Sequence, residues 1–185
     1  MFTKFCVWYF KRNGWQITGD RFADKKYLVV VGPHTSAWDF IISVAVRTIL
    51  KEDIKYLAKK ELFKFPFKNF FLKMGGYPVD RSKKMKLVDQ VIEIFNSKEE
   101  FAIAVTPEGT RKRVNKWKTG FYNIAKGAKI PIYLGGIDYD RKLIVLKGPI
   151  TPSDDLEADI RSFVNFFKDL KGKNPEMGIF EDTGI

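Results

Sequence analysis

The stretch Tyr27-Leu28-Val29-Val30-Val31-Gly32-Pro33-His34-Thr35-Ser36-Ala37-Trp38-Asp39 begins as one kind of structure and ends as another. Residues 27–31 are a short apolar run, rich in β-branched side chains and stopped by Gly32-Pro33, which predicts a buried strand. Thr35 or Ser36 then stands where a helix cap is expected. Beyond it, Phe40, Ile41, Val44, Ala45 and Thr48 recur at the spacing of one helical face. A buried strand feeding a helix through a short polar loop is the repeating unit of a layered α/β fold.

The same alternation continues along the chain. Residues 54–58 predict a second strand, residues 61–73 short helical or irregular pieces around Pro66, and residues 83–96 a helix. The last of these buries Leu87, Val88, Val91, Ile92 and Phe95 on one side. Residues 101–105 predict a strand, 117–126 a helix, 130–134 and 143–146 two more strands, and 156–170 a closing amphipathic helix. With no internal repeat and no linker-like stretch, residues 1–185 are expected to form a single α/β domain. Its central sheet should be mostly parallel or mixed, flanked by helices. In such sheets ligands gather at the carboxyl ends of strands, and His34 and Glu108 each follow a predicted strand.

Composition narrows the class. With 45% hydrophobic and 30% charged residues the chain is far from the disordered class. A single cysteine, Cys6, excludes an intramolecular disulfide, and with a single histidine it excludes a zinc site of the usual cysteine and histidine ligands. Lys4, Lys11 and Arg12 interrupt the aromatic N-terminus, leaving neither a signal-like apolar core nor an 18-residue apolar run, so a soluble or peripheral protein is expected. The net charge of +11 is regional. Residues 55–86 hold ten basic against two acidic residues, and residues 154–185 four against eight. The basic region suits a phosphate-bearing partner such as an anionic membrane, a nucleic acid or a phosphorylated small molecule.

Because histidine is the side chain that titrates near neutral pH, imidazole chemistry in this chain has one candidate, His34. Its acidic neighbour Asp39 lies five positions on. Five residues span about 140° around a continuous helix, which would hold the two apart. If His34 lies in the loop and Asp39 in the first turn, the imidazole can fold back, give one N–H to the carboxylate and keep its other nitrogen for a substrate proton. The same spacing also fits a structural reading, in which Ser36 and Asp39 form a capping box variant.

Two further constellations have similarly paired readings. Thr106-Pro107-Glu108-Gly109-Thr110-Arg111, followed by Lys112 and Arg113, can present backbone N–H groups and a guanidinium fork to a phosphate, or be an ordinary polar turn. Gly75-Gly76-Tyr77-Pro78-Val79-Asp80-Arg81-Ser82 places Arg81 as a phosphate ligand, or Asp80 and Arg81 as a structural ion pair and cap before a helix.

Taken in order, His34-x4-Asp39, Val79-Asp80-Arg81-Ser82, Pro107-Glu108-Gly109-Thr110-Arg111 and Ile130-Pro131-Ile132 resemble the four blocks of the glycerolipid acyltransferases, the 1-acylglycerol-3-phosphate acyltransferase-like enzymes. The resemblance spans about residues 28–135. It implies transfer of a fatty acyl group from an acyl-CoA or acyl-carrier-protein thioester to a hydroxyl of a lysophospholipid-like acceptor. His34 would be the general base and Asp39 its partner. Arg81, Glu108, Gly109, Thr110 and Arg111 would hold the acceptor's phosphate. No metal and no cofactor beyond the thioester co-substrate is implied. Thr106 stands where many relatives have an aromatic residue and Lys112 where many have a serine, departures that bear on the acceptor pocket.

An enzyme of lysolipids must reach a bilayer. Residues 1–15 place Phe2, Phe5, Cys6 and Tyr9 along one helical stripe, and residues 62–73 alternate phenylalanine with lysine. Both predict interfacial elements on an anionic surface, the first an amphipathic helix, with peripheral attachment to the cytoplasmic face of a membrane. The rival from another class, a basic nucleic-acid-binding module, leaves the ordered blocks unexplained, so no nucleic-acid partner is expected.

Overall fold

The computed structural model describes residues 2–80 and 87–185. In chain order the elements are α1 (Phe2–Arg12), β1 (Gln16–Gly19), β2 (Lys26–Gly32), α2 (Trp38–Leu50), β3 (Ile54–Lys59), a 3₁₀ turn (Lys60–Phe63) and α3 (Lys68–Lys73). They continue as β4 (Gly76–Val79), α4 (Leu87–Asn96), β5 (Phe101–Val105), α5 (Gly120–Ala128), β6 (Ile132–Asp138), β7 (Leu143–Ile150) and α6 (Leu156–Phe167).

The seven described strands form one sheet in the order β1-β7-β6-β2-β5-β3-β4. All pairings are parallel except β6 with β7, a hairpin, so the sheet is mixed, as expected. The apolar run 27–31 explains the centre: β2 lies between β5 and β6, where a strand must be apolar on both faces. Leu28 and Val30 enter one core with Phe95 of α4, Phe121 of α5 and Phe163 of α6. Tyr27 and Val29 face the other side, where α1 and α2 close a second core around Cys6, Phe10, Ile42 and Ala45. Burying one such large apolar side chain contributes about 1.5–3 kcal/mol, so these two layers hold the sheet between helices.

Several boundaries shift. The expected helix 117–126 begins at Gly120, because Trp117 and Lys118 are tied back in a loop, and the strand expected at 130–134 runs over Ile132–Asp138. The closing helix ends at Phe167 rather than at residue 170. The helix read over 83–96 is described from Leu87 onward. Two short edge strands, β1 and β4, carry too few alternating residues to announce themselves. Gly75 and Gly76 sit tightly against neighbours. Gly75 has φ +88° and a Cβ there would meet the Arg47 guanidinium at 1.8 Å, while one at Gly76 would meet the Phe63 ring at 2.9 Å.

Candidate active site

The carboxyl end of β2 delivers His34 into a loop, and α2 starts at Trp38, so Asp39 lies in its first turn. The cap differs from expectation. Ala37 holds the N-cap position with no side-chain cap, and the Ser36 hydroxyl, one position further out, accepts the Trp38 N–H at 3.3 Å. Asp39 reaches back instead. Its Oδ2 accepts the Thr35 N–H at 2.8 Å, the Ser36 N–H at 2.9 Å and His34 Nδ1 at 3.0 Å. The structural and chemical readings of the spacing therefore coexist: one oxygen ties down the loop and receives the imidazole, at a helix N-terminus that favours negative charge. The remaining oxygen, Oδ1, accepts the Tyr139 hydroxyl at 2.8 Å. Asp39 is only 2% exposed, and a buried carboxylate needs such donors.

The 34-to-39 loop is held from two further directions. Glu108, after β5, accepts the His34 backbone N–H through Oε1 at 2.9 Å, while its Oε2 is buried without a partner among the described residues. Burial is the main force raising the Glu108 carboxyl above its ordinary range. Turned inward and anionic when ionised, Glu108 acts on the loop rather than on a phosphate. From the carboxyl-terminal segment, Asn174 donates its side-chain N–H to the Thr35 carbonyl at 2.8 Å and its backbone N–H to Thr35 Oγ1 at 3.2 Å.

Gly109 adopts φ +64°, and a Cβ there would meet Lys118 Nζ at 2.7 Å, so the glycine lets that lysine cross the turn. The Lys118 backbone N–H donates to the Pro107 carbonyl at 3.0 Å, closing the loop. Thr110 Oγ1 accepts the Lys112 N–H at 3.4 Å. Arg111 and Lys118 are exposed and make no ion pair among the described residues, whereas Arg113 pairs with Asp182 at 3.0 Å. Asp80 pairs with Lys60 at 2.5 Å, and its backbone is bridged by the Gln90 amide. Arg81 lies outside the described residues. Lys118 and Tyr139 carried no local sequence signal, since each joins the site through a tertiary contact.

His34 and Asp39 line a cavity of about 800 Å³. One part lies under α2, where Ala104 and Gly135 keep the sheet surface low and Val44, Met74 and Leu146 form apolar walls. Another passes to Leu87, Val88 and Phe121 in the opposite core, and Arg47, Asp80 and Lys118 supply polar lining. Among the described residues His34 Nε2 makes no hydrogen bond. An imidazole so arranged can take a proton through Nε2 while Nδ1–H stays on the carboxylate. No group of three or more histidine, cysteine, aspartate or glutamate residues among those described is placed as metal ligands would be.

A family model described as acyltransferase matches residues 15–134. The chain belongs to the acyltransferase family. The match takes in the loops of His34, Gly109 and Lys118 and stops within β6, so the β6–β7 turn and the carboxyl-terminal strap of this acyltransferase lie outside it. The crystal structure of the 1-acyl-sn-glycerophosphate acyltransferase from Thermotoga maritima shares the fold. Its TM-score is 0.58, with 20% identity, covering 89% of this chain and 74% of that one. No curated protein matches this acyltransferase significantly.

Proposed function

We propose that this acyltransferase moves a fatty acyl group from an acyl-CoA or acyl-carrier-protein thioester to a hydroxyl of a lysophospholipid such as 1-acylglycerol-3-phosphate, with His34 as general base. The observation that carries the reading is the 3.0 Å contact of His34 Nδ1 with Asp39, made at the wall of a large, mostly apolar cavity. The acceptor's hydroxyl proton passes to Nε2 as its oxygen attacks the thioester carbonyl. The tetrahedral intermediate then expels the thiolate, which recovers the proton from the imidazolium. Asp39 holds the ring and balances its transient charge. The acyl chain fits the apolar part under α2, and Arg111 and Lys118, exposed and without an ion pair among the described residues, suit the acceptor's phosphate at the rim.

The same reading has the enzyme attach peripherally to the cytoplasmic face of an anionic membrane. Among the described residues no helix is long and apolar enough to cross one. Phe65, Phe67, Phe70, Leu62 and Leu72 between β3 and β4 are exposed, as are Phe5 and Trp8 of α1, and basic residues are interleaved with them.

The test is thiol release from long-chain acyl-CoA with a panel of lysolipids, comparing the wild type with His34→Ala. Loss of base assistance is expected to lower kcat by about 10² to 10⁴. Equal turnover by the variant would overturn the mechanism, and thiol release indifferent to every lysolipid would overturn the acceptor class.

A further inference from the structure

We infer that Tyr139 is a positioning residue for acyl transfer, its hydroxyl locking the Asp39 carboxylate in the orientation that holds the His34 imidazole. The inference rests on the reading of His34 as the base. Its starting point is the inventory of donors around one buried carboxylate. Three of them converge on Oδ2, namely Thr35 N–H, Ser36 N–H and His34 Nδ1–H, and among the described residues Tyr139 alone serves Oδ1, at 2.8 Å. A carboxylate swings about its last torsion with little restraint. Without the phenol, Oδ1 would be an unsatisfied buried acceptor, and rotation to relieve it would pull Oδ2 off all three donors together.

Tyr139 is itself placed with unusual redundancy for a turn residue. It follows β6 in the hairpin to β7, 100 residues from its partner. The neighbouring Asp138 tightens that turn by accepting the Arg141 N–H at 3.0 Å and its guanidinium at 2.7 Å. The Tyr139 backbone N–H donates to the Lys171 carbonyl at 2.8 Å, and its ring meets the Trp15 ring edge-on at 5.0 Å. Burial, then the adjacent Asp39 charge, raise the phenol well above its ordinary range, so the hydroxyl remains a donor at every working pH. The proton shared with Asp39 therefore stays on the tyrosine.

Tyr139→Phe removes the hydroxyl and retains the ring's contact with Trp15 and the backbone bond to Lys171. It is expected to lower kcat about 10- to 100-fold, with KM for both substrates changed less than about twofold, because the substrates do not touch the phenol. In an Asp39→Ala background the same change should alter kcat by less than about twofold, since the tyrosine acts through the carboxylate. His34 is the sole histidine, so an imidazole ¹⁵N-labelled enzyme gives one Nδ1–H resonance, and Tyr139→Phe should shift it or broaden it by exchange with water. Tyr133→Phe is the control. It removes the hydroxyl of a fully buried residue of β6, bonded to Asp24 at 2.7 Å, and both activity and the imidazole resonance should persist. The resonance is read without turnover, so it separates this inference from the choice of acceptor. A wild-type kcat in Tyr139→Phe, an unmoved resonance, or an undiminished effect in the Asp39→Ala background would each overturn it.

Discussion

Glu108 is a buried carboxyl group, with one oxygen on the His34 N–H and the other without a partner among the described residues. Burial raises its carboxyl above the ordinary value of 4.5. Below that pH the folded and unfolded chains both hold the proton, and the residue adds no penalty. As pH rises, the unfolded chain ionises first, so the folded state loses stability until its own raised pKa is passed, and the deficit then levels. Glu108→Gln keeps an acceptor for the His34 N–H and cannot ionise. It should therefore melt about 2–4 °C above wild type at pH 8, the effect of roughly 1 kcal/mol in a chain of this size. The gap should close toward pH 4. Thermal melts of both proteins from pH 4 to 8 check this, and a pH-independent gap would contradict it. At this scale the sequence is legible where a residue is scarce: His34 stands out by count and Asp39 by distance. Glu108 is legible as a site residue but not by its direction, since burial is a property of the finished packing. Tyr139, 100 positions from its partner, has no local pattern at all.

Among the elements, α1 shows how a stripe of aromatics can serve two surfaces. The spacing of Phe2, Phe5, Cys6 and Tyr9 reads as one interfacial face. In the folded chain Cys6 and Phe10 are buried against α2, and the Tyr9 ring stacks on Trp38 at 4.8 Å. Trp8 and Phe5 remain outside, 58% and 43% exposed. The Phe2 ring meets Phe70 of α3 at 6.0 Å, so α1 and the β3–β4 connection present their exposed aromatics side by side. Phe65 is 96% exposed, so replacing it removes almost no buried area. Phe65→Ser should leave the melting temperature within about 1 °C, and Phe65→Ser and Trp8→Ser should each lower partitioning onto anionic vesicles roughly tenfold. Sedimentation with phosphatidylglycerol-containing vesicles measures it. Binding that is unchanged in the double variant would remove this face from the membrane. Helical periodicity identifies such a face but does not divide it, because the split between core and surface depends on where α2 packs.

Across the whole molecule, segments far apart in sequence meet at the site. The acidic carboxyl-terminal segment returns over the two site loops. Asp182 pairs with Arg113, whose guanidinium lies 4.4 Å from the Phe180 ring centre, and the Trp117 N–H donates to the Gly184 carbonyl at 2.8 Å. Further back, Gly172 packs so closely on Thr35 that a Cβ would stand 2.6 Å from its hydroxyl, and Asn174 makes its two bonds to the same residue. Thr35 in turn gives its N–H to Asp39, so the strap and the dyad share one residue. Asn174→Ala deletes the side-chain bond to the Thr35 carbonyl and leaves a nearly buried acceptor unpaired, a loss of about 1–2 kcal/mol, or roughly 2–8 °C in melting temperature. If the strap served stability alone, activity measured well below the transition would be unchanged. Because its anchor is the residue that also restrains Asp39, kcat at 25 °C should fall several-fold, to about a third or less, while KM holds. Steady-state kinetics at that temperature, beside a melt of the same sample, separates the two, and a full kcat in a destabilised Asn174→Ala would reduce the strap to a structural tie.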